Sequence, residues 1–248
     1  METTHRDRMS AATREWMTEL SHYPGWKEWK RKQVSHTLYF DDPVLAPAHE
    51  EMFVFSEEIE RQHAVVSQYL ELQSTILSLK DCEHYFRRYP FRNNEVSHHD
   101  HLTNVCEMYF NRFYEFTERL KKYFNAVKVA SPSSNLDVGI VIKHFEKTFE
   151  QELRARNNIH HDTRFQDLAI NRVLLTGLLS IGPRDEGWKR ERRAAYRKLT
   201  KEWAERVRRR GQKMDEFLEA VAAITLSQCE FLSSIANSKP PRRKRFAT

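Results

Sequence analysis

Glycine and proline are scarce in this chain, six and eight in 248 residues. With so few turn-formers, the apolar patterns run on uninterrupted, which argues for helices over sheet. Cys82, Cys106 and Cys229 are far apart, odd in number and form no CxxC pair. No signal peptide precedes them, so they read as thiols of the reducing cytosol. No apolar run reaches the roughly 18 residues that span a bilayer, and no membrane partner is expected. Neither a repeat, a phosphate-binding glycine loop nor a nucleophile elbow is present, which removes P-loop and α/β-hydrolase chemistries.

What is present is ordinary for a globular protein: 40% hydrophobic and 31% charged residues. The length suits one large helical domain, or one domain with extensions. The formal net charge is +6 and the pI about 9.2, mildly basic and compatible with RNA. Basic residues crowd the segment from Arg184 to Lys213, including Arg192, Arg193, Arg206, Arg209 and Arg210. They either flank a nucleic-acid cleft or form a solvated helix face laced with pairs such as Glu202 to Arg206.

Along the chain, residues 1–33 are polar with scattered aromatics, and Arg14 to Leu20 is a candidate short helix. Tyr23-Pro24-Gly25 reads as a turn, and Trp16, Trp26 and Trp29 as packing residues. His36 to Ala48 reads as an extended connector, with Asp41 and Asp42 as turn-formers before Pro43. From about Pro47 to Lys80 a long amphipathic helix is expected on Phe55, Ile59, Val66, Tyr69 and Ile76, with His63 at the core edge. Asp81 to Asp100 is a crossover rich in rings and arginines, interrupted by Pro90.

Leu102 to Ala126 gives the strongest helical pattern. Leu102, Val105, Tyr109, Phe113, Phe116, Leu120 and Tyr123 lie alternately three and four apart, a core stripe. Val129 to Asn135 is a linker. Val138, Val141, Ile142, Phe145, Phe149 and Leu153 carry the next helix, and Phe165, Leu168, Leu175 and Leu179 the one after, up to Gly182-Pro183. Glu186 to about Ala236 is helical, with Gly211 as the candidate break.

The functional reading rests on the end of the helix from Val138: Leu153-Arg154-Ala155-Arg156-Asn157-Asn158-Ile159-His160-His161-Asp162. A guanidinium fork binds phosphate with two donors and keeps its charge. An imidazole titrates near neutrality and moves protons. Together they suit in-line attack of an RNA 2′-hydroxyl on the adjacent phosphate: His161 handles protons, Arg156 holds the pentavalent charge, and Asn157 orients. No metal and no cofactor is required. Five residues apart on an ideal helix, Arg156 and His161 diverge by about 140°. They converge only if the helix ends or distorts near His161, or if a partner chain supplies the second group. The weak helix formers from Asn158 to His161 are compatible with an end there. An arginine and a histidine are also what a plain capped helix end carries.

An arginine, a polar residue, three positions and then histidine resembles the motif of the HEPN family, small all-helical domains of which many are metal-independent ribonucleases. Tyr85-Phe86-Arg87-Arg88-Tyr89-Pro90-Phe91-Arg92, followed by His101-Leu102, looks like one bacterial HEPN group, as does the return His161-Asp162-Thr163-Arg164-Phe165. The likeness covers about residues 50–235. The doubled His160-His161 leaves the register open, since Arg154 with His160 fits a looser spacing. Only Arg156 with His161 puts asparagine directly after the arginine. A second match, Arg92-Asn93 with His98, follows no helix. His98 and His101 one turn apart also hint at a metal, but Ser97 or Asp100 reads better as an N-cap.

The resemblance implies an all-α, HEPN-like helical bundle with long amphipathic helices and an extended C-terminal helical segment. Residues 1–45 form an N-terminal extension packing on the core, 46–182 the bundle, 183–238 a helical extension of the same domain, and 239–248 a basic disordered tail. It implies a homodimer whose two motifs face across a cleft, and a metal-independent endoribonuclease leaving 2′,3′-cyclic phosphate and 5′-hydroxyl ends. Arg156, Asn157 and His161 would be catalytic, with Arg154, His160, Arg88, Arg92 and Arg164 contacting RNA. A toxin or phage-defence setting follows, with an antitoxin or defence-system protein as partner. The rival expectation is a non-catalytic scaffold that binds RNA, a nucleotide or a protein. A third is a structural bundle in which His161 caps a helix.

Overall fold

The computed structural model describes residues 3–39, 53–91, 96–132, 135–161, 164–181 and 186–237, and of 160–161 and 235–237 the backbone alone. The fold is all-α, with no strand among the described residues. In chain order the helices are α1 (His5–Leu20), α2 (Trp26–Tyr39), α3 (Glu57–Arg87), α4 (His98–Ala130), α5 (Val138–Thr148), α6 (Glu150–His161), α7 (Leu168–Leu179), α8 (Glu186–Gln228) and α9 (Glu230–Asn237). None of the described helices is long and apolar enough to cross a membrane.

Two compact units divide the chain. The first comprises Met1–Ser67, Ala126–Leu136 and Glu219–Thr248, and the second Gln68–Asn125 and Asp137–Leu218. Helices α3, α4 and α8 each contribute residues to both.

In the first unit, α1 is longer than the expected Arg14 to Leu20. It starts at a capping box in which the Thr4 hydroxyl accepts from the Asp7 amide and the Asp7 carboxylate accepts from the Thr4 amide. The Glu219 carboxylate adds acceptors for the His5 and Arg6 amides, at 2.6 and 3.0 Å. Met9, Ala12, Trp16 and Leu20 recur at helical spacing and are buried, and α1 packs against α9. Gly25, at φ +79, makes the expected turn. After it the chain forms α2, which replaces the first part of the expected connector; the rest of it, residues 40–48, lies outside the described residues, as do 49–52 of the helix expected from Pro47. Trp26 stacks on Trp29 at 5.0 Å and meets Phe55 and His63. The tryptophans are packing residues. Burial within this ring cluster pushes the His63 imidazole below its ordinary pKa, against the pull of Glu60.

In the second unit all seven α4 stripe residues are buried. Tyr123 meets Tyr69 of α3, Phe113 and Phe116 meet Phe149 and Phe145, and Tyr109 and Phe116 meet Trp203 and Phe217 of α8; Leu72, Ile76 and Phe86 of α3 are buried as well. Phe86 stacks on Trp203 at 5.2 Å, and Phe116 on Phe145 at 5.0 Å. Helix α3 runs on through Arg87, so the first part of the expected crossover is helical. Ser97 caps α4: its hydroxyl accepts from the Asp100 amide at 3.0 Å.

Three expectations are corrected. Gly211 does not break α8. It is buried, and the stem of Lys80 lies across it on the way to an ion pair with Asp215. The break comes at Cys229 instead. On α7, Ile170, Val173 and Thr176 face the core, while Leu168, Leu175 and Leu179 are exposed, Leu168 by 89%. Arg206 pairs with Glu152 of α6, not with Glu202.

Candidate functional site

The motif helix is delivered by a bend. At Phe149 the backbone leaves helical geometry (φ −117) while its ring stays buried against Phe113 and Phe145, and α6 begins at the next residue. A second anchor follows three residues later. The Glu152 side chain is fully buried and accepts from Arg206 Nη2 at 3.2 Å and Arg210 Nε at 2.9 Å, fastening α6 to α8. A buried carboxylate is tolerated only when it is paired in this way.

Helix α6 continues to His161 and ends there. The two candidate arginines differ sharply. Arg154 is exposed and spends its charge on Glu150 one turn earlier, at 2.6 Å, an ordinary helix-surface pair. Arg156 is half-buried. Its guanidinium lies 3.7 Å from the centre of the Tyr114 ring of α4, a cation–π stack. Its Nη1 donates to Asn157 Oδ1 at 3.4 Å. It has no acidic partner among the described residues, and its Nε–H is shielded without an acceptor. Unmet buried donors are rare enough to ask for an explanation.

Because α6 is helical through His161, the register problem is one of backbone. His160 follows Arg156 by four residues and shares its face, whereas His161, by five, is displaced by about 140° around the axis. The side chains of His160 and His161, like Arg92, lie outside the described residues. So do Gly182-Pro183 and the tail from 238 onward.

The remaining candidates are dispersed. Arg164 donates to Asn104 Oδ1 at 2.6 Å and sits 3.5 Å from Glu107 and 3.7 Å from Asp100, so its charge tethers the return segment to α4. The Phe165 amide donates to the same Glu107 at 3.1 Å. The Ser97 hydroxyl, ahead of His99 and Arg164, holds the Asp100 carboxyl below its ordinary range. Arg88 is exposed just past the end of α3 and forms no ion pair among the described residues.

The histidines that hinted at a metal have other work. His98 stacks on Tyr89 at 4.1 Å and meets Tyr196 edge-on. His101 Nε2 lies 3.0 Å from the Tyr85 carbonyl near the end of α3. Burial pushes both below their ordinary pKa, with the Arg192 charge adding to the effect at His98 and hydrogen bonds to the Tyr85 and Arg88 carbonyls opposing it at His101. No group of three or more histidine, cysteine, aspartate or glutamate side chains suited to a metal occurs among the described residues. The three thiols are free and buried, and burial pushes Cys82 up to about 12.

Two residues of this site escaped the sequence reading, Tyr114 and Glu152. Tyr114 was signalled weakly: it is an aromatic off the buried α4 register, between Phe113 and Phe116. Nothing local marks Glu152, whose partners lie 54 and 58 residues away. Comparison with known proteins finds no family model that matches the chain, and no similar curated protein or solved structure.

Proposed function

We propose that the chain is a HEPN-like, metal-independent endoribonuclease acting through Arg156, Asn157 and His161. The observation that carries this is the state of Arg156: stacked on Tyr114, bonded to its own neighbour Asn157, and without a carboxylate partner among the described residues. An arginine kept for structure is normally neutralised, as Arg154 is. One held by a ring and an amide keeps its full charge for an incoming phosphate.

In the proposed reaction the RNA 2′-hydroxyl gives up its proton as its oxygen attacks phosphorus. The bond from phosphorus to the 5′-oxygen breaks, and that oxygen takes up a proton. His161 moves these protons and Arg156 holds the charge that builds on the phosphate oxygens. No water enters, so the products are a 2′,3′-cyclic phosphate and a 5′-hydroxyl. The angular separation along α6 makes a second copy of the chain part of the proposal: Arg156 of one protomer works with His161 of the other.

The test is cleavage of single-stranded RNA in EDTA by wild type, Arg156→Ala, His160→Ala and His161→Ala, with end-group analysis. Cyclic-phosphate ends from wild type and His160→Ala alone are expected. Equal cleavage by wild type and His161→Ala removes His161 from the mechanism. A second reading, a scaffold for a partner protein, is favoured by the exposed apolar face of α7, where Leu168, Leu175 and Leu179 lie beside Trp188 of α8. A folded wild-type protein that never cuts RNA supports it.

A further inference from the structure

On α8, Arg206, Arg209, Arg210 and Lys213 fall at i, i+3, i+4 and i+7, one face of the helix. With Gln151 of α6 they line a cavity of about 410 Å³ within the second unit. Every lining residue is polar or cationic. What sets its character is the four cationic head groups, not an apolar wall of the kind that most small-molecule pockets present.

Two of the four cations are held in place. Glu152 holds Arg206 through Nη2 and Arg210 through Nε. The Arg206 guanidinium lies 4.9 Å from the Trp203 ring, and that of Arg210 lies 6.0 Å from Phe149. Arg209 and Lys213 are exposed and have no acidic partner among the described residues. One buried carboxylate therefore stands against four cations.

We infer that this cavity is a phosphate-binding subsite that takes the backbone of single-stranded RNA, away from the bond that is cut. The inference rests on the nuclease reading for its choice of ligand. Fixed guanidinium forks match phosphate oxygens in pairs, and a lysine adds a point charge. The cavity shares α6 with Arg156, since Gln151 precedes it by five residues, about 7.5 Å of helix rise. Five residues also turn Gln151 about 140° around α6 from Arg156, so a strand engaged at Arg156 reaches the α8 cations by passing around the helix. An anionic membrane is the poorer fit, because the lining includes no apolar side chain to enter the lipid.

The decisive experiment uses the full chain and a 2′-O-methyl RNA oligonucleotide, which lacks the attacking hydroxyl and is not cut. Its affinity is measured by fluorescence anisotropy over a range of salt for wild type and for the Arg209→Gln, Lys213→Gln double variant. Both side chains are exposed, so the fold should survive, and circular dichroism checks it. We expect roughly tenfold weaker binding and a log–log salt slope shallower by about 1.4, the value for two lost phosphate contacts on a single strand. Unchanged affinity and slope overturn the subsite, as does a wild type that fails to bind. Loss of binding to phosphatidylserine vesicles without loss on RNA overturns the choice of RNA. An unmodified oligonucleotide separates the two ideas. Wild type that binds through these residues but does not cut keeps the subsite and ends the nuclease reading. Wild type that cuts while the double variant binds and cuts equally does the reverse.

Discussion

The Arg156 guanidinium lies on the Tyr114 ring, 3.7 Å from its centre. The ring is not part of the core, for Tyr114 is one of the exposed large side chains. It fixes the plane of the guanidinium without neutralising it. If Arg156 holds the reacting phosphate, Tyr114 is a positioning residue. A cation–π contact at a partly exposed site is worth about 0.5–1 kcal/mol, and about 1.4 kcal/mol is tenfold in rate. Tyr114→Leu should therefore slow kcat roughly two- to fivefold, and Tyr114→Phe, which keeps the ring, should restore it. Equal rates for the leucine variant and wild type would show that the stack has no bearing on the reaction.

The helical path through His161 makes a sharper prediction. If each site takes Arg156 from one protomer and His161 from the other, Arg156→Ala and His161→Ala proteins are dead alone but complement when mixed. Random reassortment makes half of the dimers mixed, and each mixed dimer has one intact site of two. About a quarter of wild-type activity should return in a symmetric dimer. Absence of any rescue, with subunit exchange verified, places both groups on one chain and favours the His160 register.

Much of the fold was legible because α4 alternates its rings and aliphatics against a polar face, so that periodicity alone identifies what is buried. On α7 the same rule misleads. Leu168, Leu175 and Leu179 are spaced like a core stripe, but so are Ile170, Val173 and Thr176, and a helix apolar on most sides gives no contrast. The box from Thr4 to Asp7, which starts α1 at His5, was passed over by the expectation of a helix from Arg14, because the residues between carry too few apolar side chains to show a pattern. The Arg206–Glu152 pair was not readable, because a local partner, Glu202, stood at the right spacing and only the tertiary fold decides between them. In the motif, the sequence supplied the residues, while the distinction between a neutralised Arg154 and an uncompensated Arg156 needed side-chain positions.

His98 and His101 should make stability sensitive to mild acid. An imidazole whose folded pKa lies below its unfolded value of about 6.5 takes its proton more readily in the unfolded chain. Burial puts both histidines in that class. Their contribution is complete above the unfolded value and is lost as pH falls below it. Asp100, held down by the Ser97 hydroxyl, acts in the same direction only at lower pH, through the ordinary carboxylate range. The urea midpoint should therefore drop between pH 7.5 and 5.5. The drop should shrink in the His98→Phe, His101→Gln variant, whose new side chains keep the stack and the carbonyl contact without the proton. A drop of the same size in that variant assigns the acid sensitivity elsewhere.

Gly211 and Lys80 should be coupled. Glycine inside a helix is destabilising by about 1 kcal/mol relative to alanine, so Gly211→Ala in α8 ought to stabilise. A Cβ there would stand 3.0 Å from Lys80 Cγ, however, and Lys80 crosses this point to reach Asp215. The gain in helix propensity is opposed by displacement of the lysine stem from its path. Gly211→Ala should thus be close to neutral in wild type and stabilising by about 1 kcal/mol in a Lys80→Ala background. Urea unfolding of the four proteins of the cycle measures the difference. The same effect of Gly211→Ala in both backgrounds would mean that the lysine gives way freely, and that the glycine is not there to make room for it.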